Sequence, residues 1–93
     1  MYEEISEKLK KSCENAIVAL DKLNSTEYDE LKSKLIFVIG SYEYDKNPVG
    51  LHEYAVESYK ILQSVKGKQP RKVAKKVLDD LEKSIKQYEQ NKS

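Results

Sequence analysis

Few residues in this chain have the type and surroundings to do chemistry, and most of them crowd into one stretch. Residues 40–54 hold three of the seven tyrosines, the only histidine, one of two prolines and two of three glycines. His52 is the first candidate. A bundle histidine that carries a phosphoryl group is commonly followed by Leu, Lys and Gly in a His-x-Leu-Lys-Gly pattern, whereas Glu53-Tyr54-Ala55 follow here. Two-iron carboxylate bundles need Glu three residues before His on two helices. No Glu occupies that position before His52. His52 therefore reads as a surface or helix-cap histidine.

Tyrosine combines apolar area with one hydrogen-bonding tip, which suits it to binding surfaces. Tyr42 and Tyr59 fall on apolar stripes and read as core, while Tyr44 and Tyr54 flank the central loop. With Asp45 and His52 they form either an aromatic lid over one end of the fold or a partner-binding patch. Cys13 is the sole cysteine, so it has no internal disulfide partner. Its place on an apolar stripe makes it a small core side chain.

The third candidate is electrostatic. Lys66, Lys68, Arg71, Lys72, Lys75 and Lys76 put six bases and no acid into eleven residues. If a helix begins at Pro70, these bases oppose its dipole and, with its free amides, make an anion site of Lys68, Arg71, Lys72 and Lys75. Against this, Lys75/Asp79, Lys76/Asp80, Asp79/Lys83 and Glu82/Lys86 are spaced to neutralise one another on a helix. Nucleic acid is an unfavoured ligand, because the run lacks aromatics and the net charge is only +1. There is no glycine-rich phosphate loop, Cys or His pair at metal spacing, or nucleophile elbow. No catalysis, cofactor or metal is expected.

The elements that must position these residues are all helical. Ile5, Leu9, Cys13, Ala16, Ile17, Leu20 and Leu23 recur at steps of three and four, predicting a helix over about 3–23. Tyr28, Leu31, Leu35, Val38, Ile39 and Tyr42 predict a second over 26–43, capped by Ser25 or Thr26. Ile36 and Phe37 widen its stripe, so this helix is expected to be the most buried. Gly40, unfavourable within a helix, is expected to mark close helix contact or the onset of unwinding. Asn47 and Pro48 open a third helix over 48–66, with Gly67 as a left-handed cap. A fourth spans 70–90, and Asn91-Lys92-Ser93 should fray.

Ninety-three residues make one domain, 1–93. Short connections force sequence neighbours to pack antiparallel, which predicts an all-α, up-down-up-down four-helix bundle. A three-helix core with a detached first helix is the competing architecture. The loop after the second helix then lies at one end, and the basic hairpin lies at the other beside Glu27, Asp29 and Glu30.

Residues 1–45 carry ten acids and six bases, and residues 46–93 six acids and eleven bases, an asymmetry that favours packing of the halves and weak self-association. No basic-then-apolar leader opens the chain, and its longest apolar run, 35–39, is far short of the ~20 residues that span a bilayer. A cytoplasmic location is the default expectation. In size, bundle patterning and basic final hairpin the chain is similar in outline to the small cytoplasmic immunity proteins that protect bacteria from bacteriocins. The leading expectation is a non-catalytic interaction module for an unknown protein partner or a second copy of itself. An anion or nucleic-acid binder is the alternative.

Overall fold

Amphipathic periodicity sets the four helices, and the computed structural model describes them over residues 2–91, with only the backbone of Tyr2 included. Helix α1 spans Tyr2–Lys22, α2 Asp29–Asp45, α3 Val49–Lys68 and α4 Lys75–Gln90. They form an up-down-up-down antiparallel bundle measuring 36 × 23 × 15 Å. Lys92 and Ser93, expected to fray, lie outside the described residues.

The cross-section is a rhombus rather than a square. α1 and α3 touch across the short diagonal, while α2 and α4 lie on opposite flanks, each packed on both. Small side chains permit the approach: Cys13 and Ala16 on α1 and Ala55 and Ser58 on α3 are all fully buried. Cys13 Sγ donates to the Leu51 carbonyl at 3.6 Å, directly linking the two helices. α1 packs against all three other helices, so the detached-first-helix architecture is excluded.

Several boundaries differ from those the periodicity predicts. Asn24 ends α1 in the left-handed region (φ 50°). Ser25 Oγ then accepts from the Glu27 amide at 3.2 Å, as a cap should. What it caps is a tight turn of 3₁₀ helix at Thr26–Tyr28, and α2 proper starts only at Asp29. At the other end α2 continues through Gly40 to Asp45. Gly40 faces open space, with no atom within 4 Å of where a Cβ would stand. It marks neither a helix crossing nor an unwinding.

Lys46 takes the left-handed cap of α2 (φ 59°), its amide donating to the Tyr42 carbonyl at 2.6 Å. Asp45 Oδ1 accepts the Asn47 amide and Asn47 Oδ1 the Val49 amide, so two side chains make the turn into α3. α3 begins one residue later than expected and runs through Gly67 to Lys68. No glycine has positive φ, so Gly67 is no left-handed cap.

The largest shift is at α4, which starts at Lys75 rather than Pro70. Residues 69–74 instead form a loop that closes the bundle end. Val73 plugs the core at 1% exposure. Lys66 Nζ donates to the carbonyls of Pro70 (3.2 Å) and Val73 (2.9 Å), taking the place of the backbone amides that a helix here would have supplied.

Ile36 and Phe37 correct a further expectation. They do not widen a buried stripe, because α2 sits on a flank and its outer side meets no helix. Phe37 is 73% exposed and Ile36 59%.

Candidate functional site

The candidate residues of the central loop do not converge. Tyr44 projects from the outer side of α2 at 92% exposure. Asp45 is occupied in the turn. His52 lies on the other side of α3, where Nε2 is 2.9 Å from Glu89 Oε2 and its ring stacks at 4.9 Å and 30° on Tyr88. Tyr54 is half-buried toward α2, with Lys34 Nζ 5.9 Å from its ring centroid. Three helix faces thus take one or two candidates each. His52 fastens α3 to α4, and Tyr54 fills the seam between α2 and α3.

The two tyrosines read as core have polar ends. Tyr42 is 1% exposed, and its hydroxyl donates to Glu7 at 2.7 Å. Burial, and then the Glu7 carboxylate, push the phenol up to about 12. Tyr59, half-buried, donates to Glu82 at 3.2 Å. The Cys13 thiol, fully buried, is pushed up to about 12 by desolvation, which keeps it protonated and unreactive at neutral pH.

At the opposite end, the basic candidates divide. Lys68 and Lys72 line a groove of about 560 Å³ that also contains Glu27, Tyr28, Leu31 and Val65. The hairpin therefore stands beside the start of α2, as antiparallel packing requires. Arg71 and Lys72 also line a second groove, of about 430 Å³, between α1 and α4 with Lys22 and Lys76. Lys75 borders neither groove. The predicted helix N-terminus is absent from the middle of this run, and Lys66 and Lys68 occupy the last turn of α3, where positive charge is favourable. Of the four neutralising pairs expected on α4, Glu82 and Lys86 meet, at 3.8 Å.

A third groove, of about 370 Å³, continues along α1 and α4 and carries Lys8, Lys11, Lys76 and Lys83 around a single acid, Asp80. Beneath it the buried hydroxyls of Ser12 and Ser84 meet at 2.7 Å. Sequence reasoning missed this basic face, since Lys8 and Lys11 join it only through the packing of the first helix on the last. Among the described residues, Lys11, Arg71, Lys72, Lys76 and Lys83 make no ion pair.

The surface feature most at odds with a self-contained domain is the outer side of α2. Its buried stripe is Leu31, Leu35, Val38, Ile39 and Tyr42. At about 100° per residue, the opposite side carries Ser33, Ile36, Phe37, Gly40, Ser41 and Tyr44. Sequence reading assigned Phe37 and Ile36 to the core. The available signal was angular: both lie well outside the arc of the five stripe residues.

No three His, Cys, Asp or Glu side chains among the described residues are placed to hold a metal ion. No helix among them is long and apolar enough to cross a membrane. Compared with family models, curated proteins and solved structures, the chain matches none.

Proposed function

We propose that this protein is a non-catalytic interaction module whose docking surface is the outer side of α2. The observation that carries this reading is Phe37, 73% exposed and flanked by Ile36 and Tyr44 at 59% and 92%. Phe37 and Tyr44 together leave roughly 300 Å² of aromatic surface in water, at 150–250 Å² per aromatic side chain. That alone reaches the lower end of the largest apolar patch on a typical monomer, which is often functional. Of the loop candidates Tyr44 belongs to this surface; Asp45 makes the turn into α3, and His52 and Tyr54 support the bundle. A photoreactive side chain at position 37, compared with one at exposed position 60, tests the reading in cells that make the chain. A discrete adduct at 37 alone is expected. Equal labelling at both positions, or none at 37, would sink it.

A second reading has its own observation, the basic face along α1 and α4. Lys11, Arg71, Lys72, Lys76 and Lys83 line two adjoining grooves around a single acid, Asp80, and none of the five is in an ion pair. Such a face attracts a polyanion, with affinity that falls steeply as salt is added. A labelled oligonucleotide or heparin fragment at low salt decides: binding that Lys76→Glu abolishes supports it, and no binding ends it.

A further inference from the structure

Resting on the basic face of the second reading above, we infer that the groove between α1, α4 and the loop 69–74 receives a short acidic segment of a partner protein, anchored by one apolar side chain. Four bases, Lys22, Arg71, Lys72 and Lys76, stand around this groove of about 430 Å³. Val18, Ala19, Ala74 and Val77 supply its apolar lining. Asp80 is its single acid, and that residue also lines the neighbouring groove.

The positive charge is unanswered within the fold. Among the described residues, none of the four bases is in an ion pair. Lys76 also stands in the first turn of α4, where no acid is present and positive charge opposes the helix dipole. A base placed there costs stability, and carboxylates from outside would offset it.

Val18 selects the kind of anion. It is 53% exposed, an aliphatic side chain standing in water among bases. The core does not need it, since α1 buries Leu9, Cys13, Ala16 and Leu20 instead. Nucleic acid or heparin would use the bases and gain nothing from the valine. A flat bilayer surface would meet the bases without entering a groove. An acidic segment with one apolar side chain uses both, its carboxylates on the cations and its apolar group on Val18 and Val77.

The groove also sets the length of what it takes. From Asn15 to Lys22 it follows α1 for about 10 Å, at ~1.5 Å per residue. That is two turns of a helix laid along it, so the segment needs acids one turn to either side of its apolar residue.

Contacts over so short a groove are transient, with a Kd on the order of 100 µM. Fluorescence anisotropy with the full chain at low salt tests this with three labelled probes. One is a peptide of three repeats of Asp-Leu-Glu-Glu, another is polyglutamate of the same length, and the last is a heparin fragment. The leucine-bearing peptide should bind saturably and about tenfold tighter than polyglutamate, although it carries fewer charges. Val18→Ser should weaken that peptide about tenfold, while heparin binding and the melting temperature stay as they were. Lys72→Glu should weaken all three probes. Phe37→Ser should weaken none; a loss there would place the peptide on α2 and overturn the inference.

A peptide that binds no tighter than polyglutamate overturns it, as does binding that Val18→Ser leaves intact. If heparin then still binds, and Lys76→Glu abolishes that binding, the polyanion reading stands alone. If no probe binds, both fall. If the peptide binds through Val18 and heparin does not bind, the inference stands and the polyanion reading narrows to acidic protein segments.

Discussion

Tyr42 donates its hydroxyl to Glu7 Oε2 at 2.7 Å, across the seam between α2 and α1, from a ring that is 1% exposed. One side chain therefore fills the core and anchors the start of the first helix. Lys46, which caps α2, covers the same ring with Nζ 5.3 Å from its centroid. Tyr42→Phe keeps the packing and removes one bond to an exposed carboxylate that water can rehydrate. A loss of about 1 kcal/mol is expected, or roughly 4–8 °C in Tm for a domain of this size. A thermal-melt cycle with Glu7→Ala should show most of that loss as coupling.

Tyr42 and Cys13 set an alkaline limit. Both are held protonated in the folded state, with values pushed up to about 12 from their ordinary 10.0 and 9.0. Above the lower values the unfolded chain releases these protons and the folded one does not. Stability is therefore fully present below about pH 9 and is lost as pH rises toward 12, first through Cys13 and then through Tyr42. Urea midpoints from pH 7.5 to 11 should fall along that course. Tyr42→Phe should flatten the upper part of the decline; an unchanged slope would refute its origin in Tyr42.

The buried pair Ser12 and Ser84 should behave non-additively. Each hydroxyl has a carbonyl in reserve, Asp80 at 3.3 Å for Ser12 and Lys8 at 3.5 Å for Ser84. Ser12→Ala and Ser84→Ala should each cost about 1 kcal/mol or less, and together less than their sum, because removing both partners leaves no unpaired donor. Chemical denaturation of the three variants measures it.

Glycines 50 and 67 should respond differently to alanine. Both are helical and have negative φ. At Gly67 nothing lies within 4 Å of the new Cβ, so Gly67→Ala should stabilise by about 0.5–1 kcal/mol. At Gly50 the new atom would stand 3.1 Å from Val38 Cγ1. Val38 is buried and cannot easily turn away, so Gly50→Ala should gain less than Gly67→Ala or destabilise. Comparing the two melting temperatures decides it.

The loop that closes the bundle should be as much part of the core as any helix. Val73→Ala removes a side chain that is 1% exposed, and a cost of about 1–3 kcal/mol is expected. Lys66→Met should raise amide exchange over 69–74 by freeing the two carbonyls its ammonium holds, without altering the α1–α2 end of the bundle.

The helices on which apolar residues keep strict spacing are legible in the sequence. α1 and α4 show their buried sides in the order Leu9, Cys13, Ala16, Leu20 and Leu78, Leu81, Ile85, Tyr88. α2 was misread for a physical reason. Periodicity says which side of a helix is apolar, but not how many neighbours will cover it, and a flank position in a rhombus leaves Phe37 outside. Val73 was missed because a loop residue has no period. The pairing of His52 with Glu89, 37 positions away in the chain, is a product of packing that local spacing cannot encode. Of the four residues clustered about the central loop, Asp45, His52 and Tyr54 make turn and packing contacts and Tyr44 is turned to the outer side of α2, a division that composition of the stretch cannot encode.

The contact of Ser12 with Ser84 also fixes how the protein would meet mechanical load. With α1 antiparallel to α4, residues 2 and 90 leave the molecule from the same end, so tension between them peels the outer helices apart one contact at a time. It never shears the whole interface at once. A bundle wired in this way yields at low force whatever its melting temperature, because forced opening follows the barrier along the pulled direction and not the equilibrium stability.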